Sequence, residues 1–197
     1  SEPRNHSYIA NGVVVRNCSE YMSLDNSSCN LASLNLVKFR NVDGSFNVEQ
    51  FVKSVELVIT AMDISICFAD FPTEKIGEVT RAYRQLGIAY ANLGALLMAS
   101  GRPSGSGAGR SVAAAITSLM TGTAYRRSAE LAAVAGPYDG YARNADPHKR
   151  VMRKHAAAAD EIKPHVLATA MAREASRQDD IRRAAARSQH VRHLGVG

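Results

Sequence analysis

Residues 18–36 read Cys18-Ser-Glu20-Tyr-Met-Ser-Leu-Asp-Asn-Ser-Ser-Cys29-Asn-Leu-Ala-Ser-Leu-Asn-Leu36. Residues 18–30 are rich in Ser, Asn and Asp and read as loop, and Leu31 to Phe39 then reads as a strand. Two of the chain's 3 cysteines lie in this stretch, and a carboxylate follows the first of them at the second position. In an extended segment, residues two apart point to the same side. The Cys18 sulfur and the Glu20 carboxylate can therefore face one substrate, one as radical or nucleophile carrier and one as base.

Around this stretch, the chain has 197 residues, enough for one domain with a real core or for a piece of a larger one. Hydrophobic residues at 46% and charged residues at 21% fit a globular protein in water. No run approaches the length of a membrane span, and no basic-then-apolar leader opens the chain. Ser1-Glu2-Pro3-Arg4 lacks an initiator methionine. We expect a cytoplasmic protein and a piece cut from a longer one.

The net charge of +6 is unevenly placed: from Arg143 onward 12 Lys and Arg face 6 Asp and Glu, whereas the first 142 residues balance at 12 against 12. In the tail the basic residues alternate with acids and alanines, as in Ser176-Arg-Gln-Asp-Asp-Ile-Arg-Arg-Ala-Ala-Ala-Arg187. That predicts a solvated helix face and no nucleic-acid partner. Cysteines spaced by 11 and 38 form neither a CxxC pair nor a zinc pattern, so no metal site is expected. An odd count suits a reducing compartment. Cys67, in Asp63-Ile-Ser-Ile-Cys-Phe68, reads as a buried structural thiol.

Residues 7–15 read as two short strands about an Asn11-Gly12 turn, the strongest short hairpin signal. A second turn falls at Asp43-Gly44. Asn47 then caps a helix, with Gln50 three residues on, and Phe51, Val55, Val58, Ile59, Met62 and Ile66 recur at helical spacing before Pro72. Arg84 to Tyr90 reads as a buried strand running into a helix through Asn92–Met98. Gly101 to Gly109 reads as a linker, because it lacks the Gly-Lys-Ser/Thr ending of a phosphate loop. Ser111 caps a long helix to about Ala135, ended by Gly136-Pro137. Tyr138 to Asp146 reads as polar loop, and alanine-rich helix fills most of the remainder.

Several blocks carry a resemblance. They are Cys18 to Leu36, quoted above, then Asp63-Ile-Ser-Ile-Cys-Phe-Ala-Asp-Phe-Pro72 and Thr80-Arg-Ala-Tyr-Arg-Gln-Leu-Gly-Ile-Ala-Tyr-Ala-Asn-Leu-Gly-Ala-Leu-Leu-Met98. Met120-Thr-Gly-Thr-Ala-Tyr-Arg-Arg-Ser-Ala-Glu-Leu131 and Gly136-Pro-Tyr-Asp-Gly-Tyr-Ala-Arg-Asn144 complete them. In this order they resemble the catalytic chain of ribonucleotide reductase, of the adenosylcobalamin-dependent (class II) kind. The resemblance implies an α/β fold, part of a ten-stranded α/β barrel, helix-rich in this stretch. It also implies the activity of an adenosylcobalamin-dependent ribonucleoside-diphosphate reductase, although nothing in these residues separates di- from triphosphate substrates.

Within that family's Asn-x-Cys-x-Glu motif, Cys18 and Glu20 match the Cys and Glu. By resemblance, Cys18 carries the thiyl radical that removes the 3′ hydrogen of a ribonucleotide. Glu20 takes the 3′-hydroxyl proton and helps the 2′-hydroxyl leave as water. Cys29 matches the second of two cysteines that supply reducing equivalents and close to a disulfide. Partners implied are the ribonucleotide, a thioredoxin-like dithiol reductant and, in the intact enzyme, a second copy in a homodimer. The family's Pro-Thr-Gly-Thr phosphate segment and the partner cysteine of Cys29 do not occur in this sequence. With strands missing, a barrel cannot close, so we expect this piece to be inactive alone.

The motif's Asn is replaced by Arg16, with Asn17 directly before the cysteine. Asn5-His-Ser-Tyr-Ile-Ala-Asn-Gly-Val-Val-Val-Arg-Asn17 resembles the C-terminal end of an intein. There Asn17 would cyclise, His6 would assist, and Cys18 would be the first residue of the spliced host. Arginine at 16 stays charged where a histidine would exchange protons, which should slow that step. The expected organisation is therefore an intein remnant at 1–17, a reductase barrel fragment at 18–162 and a divergent basic helical tail at 163–197. Two other readings compete: a splicing module with its junction at Asn17–Cys18, and a non-catalytic helical binding protein with a basic tail.

Overall fold

Phe51, Val55, Ile59, Met62 and Ile66 are the buried face of α1 (Val48–Ile66), as their helical spacing requires. The computed structural model describes residues 7–10, 13–16, 23–162 and 194–196. Asn47 opens α1, its Oδ1 accepting the Gln50 N–H at 3.0 Å. That satisfies one of the donors that a helix start leaves without a partner.

The α1 face packs on a parallel sheet of β3 (Asn30–Asn35), β4 (Leu86–Ala91) and β5 (Leu194–Val196), with β4 in the middle. Parallel strands need a crossover. Between β3 and β4 it runs through a short 3-10 helix (Leu36–Phe39), α1 and α2 (Glu74–Tyr83). Leu86 and Ile88 are buried on the α1 side, with Ala32, Leu34 and Tyr90 packed against the same core. Beyond β4 come α3 (Leu93–Ala99), α4 (Gly107–Ala135) and α5 (Tyr141–Asp160). Helix α4 lies against α1 through an Arg126–Glu56 ion pair and an Arg127 Nε hydrogen bond to Thr60 Oγ1 at 2.9 Å. The Tyr90 hydroxyl meets Thr117 Oγ1 at 2.8 Å, which ties β4 to α4. At the chain's start, β1 (Ser7–Ala10) pairs antiparallel with β2 (Val13–Arg16), Ala10 opposite Val13, as the Asn-Gly signal predicts.

Several sequence expectations need correction. The strand expected to reach Phe39 ends at Asn35, whose Oδ1 accepts the Val37 N–H at 3.2 Å and starts the 3-10 turn. Leu36 and Phe39, three apart, are then both buried, and Phe39 packs against Phe46 and Phe51. Helix α2 has no counterpart in the sequence reading; Thr73 caps it, its Oγ1 accepting the Ile76 N–H at 3.3 Å. Helix α4 begins at Gly107, ahead of the expected Ser111 cap, because Ser106 Oγ accepts the Gly109 N–H at 3.0 Å. A Cβ at Gly109 would strike the Pro103 carbonyl, so glycine lets the helix start fold onto the turn before it.

The expected polar loop at Tyr138–Asp146 is largely the first turns of α5. Tyr138, Tyr141 and His148 are buried together there, with ring centroids 5.7–6.0 Å apart. Burial, and then the neighbouring Tyr141, push the Tyr138 hydroxyl up to about 12. The helical tail expected after 162 lies outside the described residues up to 193, and Leu194–Val196 is a strand. Cys67 is exposed, not buried: it caps the C-terminal end of α1, where the chain turns away from the core. Three parallel strands form an open sheet among the described residues, in place of a closed barrel. No helix among them is long and apolar enough to cross a membrane.

Candidate functional site

Alternation divides the sheet into two faces. Asn30, Ala32 and Leu34 turn toward α1, so Leu31, Ser33 and Asn35 of β3 lie on the other face, and all three are exposed. Opposite them in register stand Gly87, Ala89 and Ala91 of β4. Small side chains keep this second face open. Cys29 immediately precedes β3 and shares its parity with Leu31. Its Sγ would lie 3.6 Å from a Cβ built on Gly87, so the sulfur leans over β4 on the open face. The same Cβ would collide with Leu31 Cδ2, so glycine at 87 lets the Leu31 side chain lie across the strand.

Three contacts hold the loop that delivers Cys29. Ser28 donates its N–H to Thr80 Oγ1 at 2.9 Å, and Thr80 is buried in α2. Ser27 Oγ donates to the Leu24 carbonyl at 2.6 Å and lies 3.2 Å from Gln85 Oε1. Asn30 Nδ2 donates to the Met62 carbonyl at 2.9 Å and to Ser65 Oγ at 2.6 Å, fixing the start of β3 to the last turns of α1. The Asn30 N–H also donates to the Gln85 carbonyl at 3.1 Å, so Cys29 and Gln85 are lateral neighbours. Gln85 is fully buried, and its Nε2 has no hydrogen-bond partner among the described residues.

The residue before Gln85 serves the opposite side. Arg84, in the left-handed region at φ 50°, sends its Nε to Asp63 Oδ1 at 2.9 Å and its second guanidinium nitrogen to Cys67 Sγ at 3.4 Å. Burial works against the Arg84 charge, but the Asp63 carboxylate and the Cys67 sulfur outweigh it and raise its pKa. Among the described residues, no cluster of three His, Cys, Asp or Glu could hold a metal ion.

Of the residues picked from sequence, Cys29 is thus placed on an open, small-residue face. Cys18, Glu20, His6 and Asn17 lie outside the described residues. Thr80, Arg84, Gln85 and Gly87 were not singled out, although all four lie in one block of the resemblance, and Asp63 opens another. Their signal is spatial: only the β3–β4 pairing brings residues 28–30 beside 80–87.

The family described as ribonucleotide reductase, barrel domain, matches residues 8–193. The chain belongs to that family. A vitamin B12-dependent ribonucleotide reductase of Streptomyces clavuligerus is 75% identical over 147 residues, covering 73% of this chain and 15% of that protein. One from Rhodopirellula baltica is 46% identical over 145 residues, 74% of this chain and 14% of that protein. A vitamin B12-dependent ribonucleoside-diphosphate reductase of Mycobacterium tuberculosis is 27% identical over 124 residues, 63% of this chain and 18% of that protein. The chain thus spans 15% or less of the length of the first two reductases. The barrel-family match opens at Tyr8, inside the β1–β2 hairpin, and none of these names mentions splicing. The intein reading of residues 1–17 gains no support from them.

Proposed function

We propose that this chain is a piece of a vitamin B12-dependent ribonucleotide reductase, the barrel stretch that carries the thiols of the reaction. The observation that carries this reading is the family match together with a thiol, Cys29, presented on the open face of a parallel sheet. Cys18 would hold the thiyl radical and take the 3′ hydrogen of the substrate. Glu20 would accept the 3′-hydroxyl proton, and the 2′-hydroxyl would leave as water. Cys29 and a cysteine elsewhere in the longer protein would give two electrons and two protons and close to a disulfide. A thioredoxin-like dithiol would reopen it.

The substrate is taken as a ribonucleoside diphosphate, supported by the name of the Mycobacterium tuberculosis relative. The cofactor is taken as cobalamin in its adenosyl form, supported by the B12 dependence named for the relatives. Its support is those names, and no described residue is assigned to hold it. When bound, it would supply the unpaired electron that reaches Cys18.

Further strands from the rest of the protein would complete the ten-stranded barrel beside the open sheet, in a cytoplasmic homodimer. Alone, the piece would be inactive. The experiment is turnover of the full-length protein with cobalamin cofactor, dithiol and ribonucleoside diphosphate. Deoxyribonucleotide should form with the wild type and not with Cys18→Ser. Product from Cys18→Ser at the wild-type rate would refute the reading.

A further inference from the structure

A buried amide that lacks a partner is uncommon, because a donor taken out of water without an acceptor costs free energy. Gln85 is such a case: it is 0% exposed, and nothing among the described residues accepts from its Nε2. Its other end is fixed, with Oε1 beside the Ser27 hydroxyl and its backbone carbonyl bonded to Asn30 N–H. Gln85 precedes β4 at the same parity as Gly87, and the Cys29 sulfur leans over Gly87. The residue with the unpartnered donor and the residue with the thiol therefore sit side by side, each one position before the first register pair of β3 and β4, Asn30 with Leu86.

We propose that Gln85 is a positioning residue for Cys29, with its Nε2–H donating a hydrogen bond to the sulfur when Cys29 is a thiolate. A donor aimed at the charged form favours that form. The thiolate is the species that exchanges with an incoming dithiol or disulfide, so Gln85 would set how readily Cys29 is recycled. The charged side chains described at this end of the sheet are paired with each other or exposed. Arg84 and Asp63 are bonded to each other on the α1 side, and Asp25 is exposed in the preceding loop. This inference rests on the proposed role of Cys29 in ribonucleotide reduction, but its test does not use turnover.

The test is the pH dependence of Cys29 alkylation by iodoacetamide in the full-length protein, localised by peptide mass spectrometry, with Cys67 as internal reference. Gln85→Met keeps the side-chain length and removes the donor. Gln85→Glu keeps an acceptor for Ser27 and replaces the donor with negative charge. Gln85→Met should raise the Cys29 midpoint and slow alkylation about tenfold at neutral pH, the size of a hydrogen bond to a charged group. Gln85→Glu should slow it further, and the Cys67 midpoint should stay put. Ser27→Ala, which frees Oε1 but leaves the donor, should keep the wild-type midpoint. A purely structural role would change the plateau rate and leave the midpoint alone. A wild-type midpoint in whichever Gln85 variant folds overturns the proposal. So does a Ser27→Ala shift as large as that of Gln85→Met.

Discussion

Cys29 and Cys67 flank the same strand entrance, beside the consecutive residues Gln85 and Arg84. Arg84 turns toward α1 and reaches Cys67 with a full charge; Gln85 lies beside Cys29 with a neutral amide. Cys67 is exposed, at a helix end, next to an ion pair whose partners are 12% and 8% exposed. Cys29 is half-buried on a face lined by Gly87 and Ala89. Exposure alone would nominate Cys67 as the reactive sulfur. Cys29 is instead the sulfur proposed to react, and among the described residues its neighbours on β4 are the small Gly87 and Ala89. Cys67 and Arg84 are better understood as the lock that holds the loop before β4 to α1.

If that division is right, removing each sulfur gives opposite results. Cys29→Ser in the full-length protein should abolish turnover driven by an external dithiol, and Cys67→Ser should leave it within about threefold of wild type. Equal losses would break the comparison. Next in size is the lock itself: Asp63→Ala strands the Arg84 charge in a partly buried site and should cost about 3 kcal/mol in urea denaturation. On the Cys29 side, Gly87→Ala should cost about 1 kcal/mol by crowding Leu31, and Leu31→Ala in the same protein should restore most of it.

The smallest effect belongs to a control far from both sulfurs, the Tyr125–His155 contact between α4 and α5, at 2.8 Å. Tyr125→Phe should cost about 0.5 kcal/mol. Burial, then Lys154, hold the His155 pKa below its ordinary 6.5, so the fold favours the neutral ring. The unfolded chain then binds the proton more readily. Stability from His155 is complete above pH 6.5 and declines as pH falls below it. His155→Gln should flatten that slope in denaturation midpoints.

The parts of this architecture legible in sequence were those with local signals. The Asn-Gly hairpin, the Asn47 cap, the apolar stripe of α1 and the Gly136-Pro137 stop all appear as local chemistry predicts. Cys29 was found by resemblance, and the β3–β4 pairing explains its setting. The misses have two causes. Helix α2 starts on a local cap, Thr73, that the reading passed over, whereas the early start of α5 and the exposure of Cys67 go with contacts beyond one helical turn: the Tyr138–His148 cluster, and Arg84 with Asp63. Periodicity in one segment carries no trace of them. Gln85 was unreadable for the same reason, since a glutamine before a buried strand gains meaning only from the loop paired beside it.

One experiment goes directly to the chemistry at Cys29. The full-length protein, reduced and then freed of dithiol, is given cobalamin cofactor and ribonucleotide, and its cysteines are alkylated after turnover and mapped. Cys29 should be lost from the alkylated pool in proportion to the deoxyribonucleotide formed, while Cys67 remains fully labelled. Deoxyribonucleotide accumulating with Cys29 still fully labelled would contradict the account.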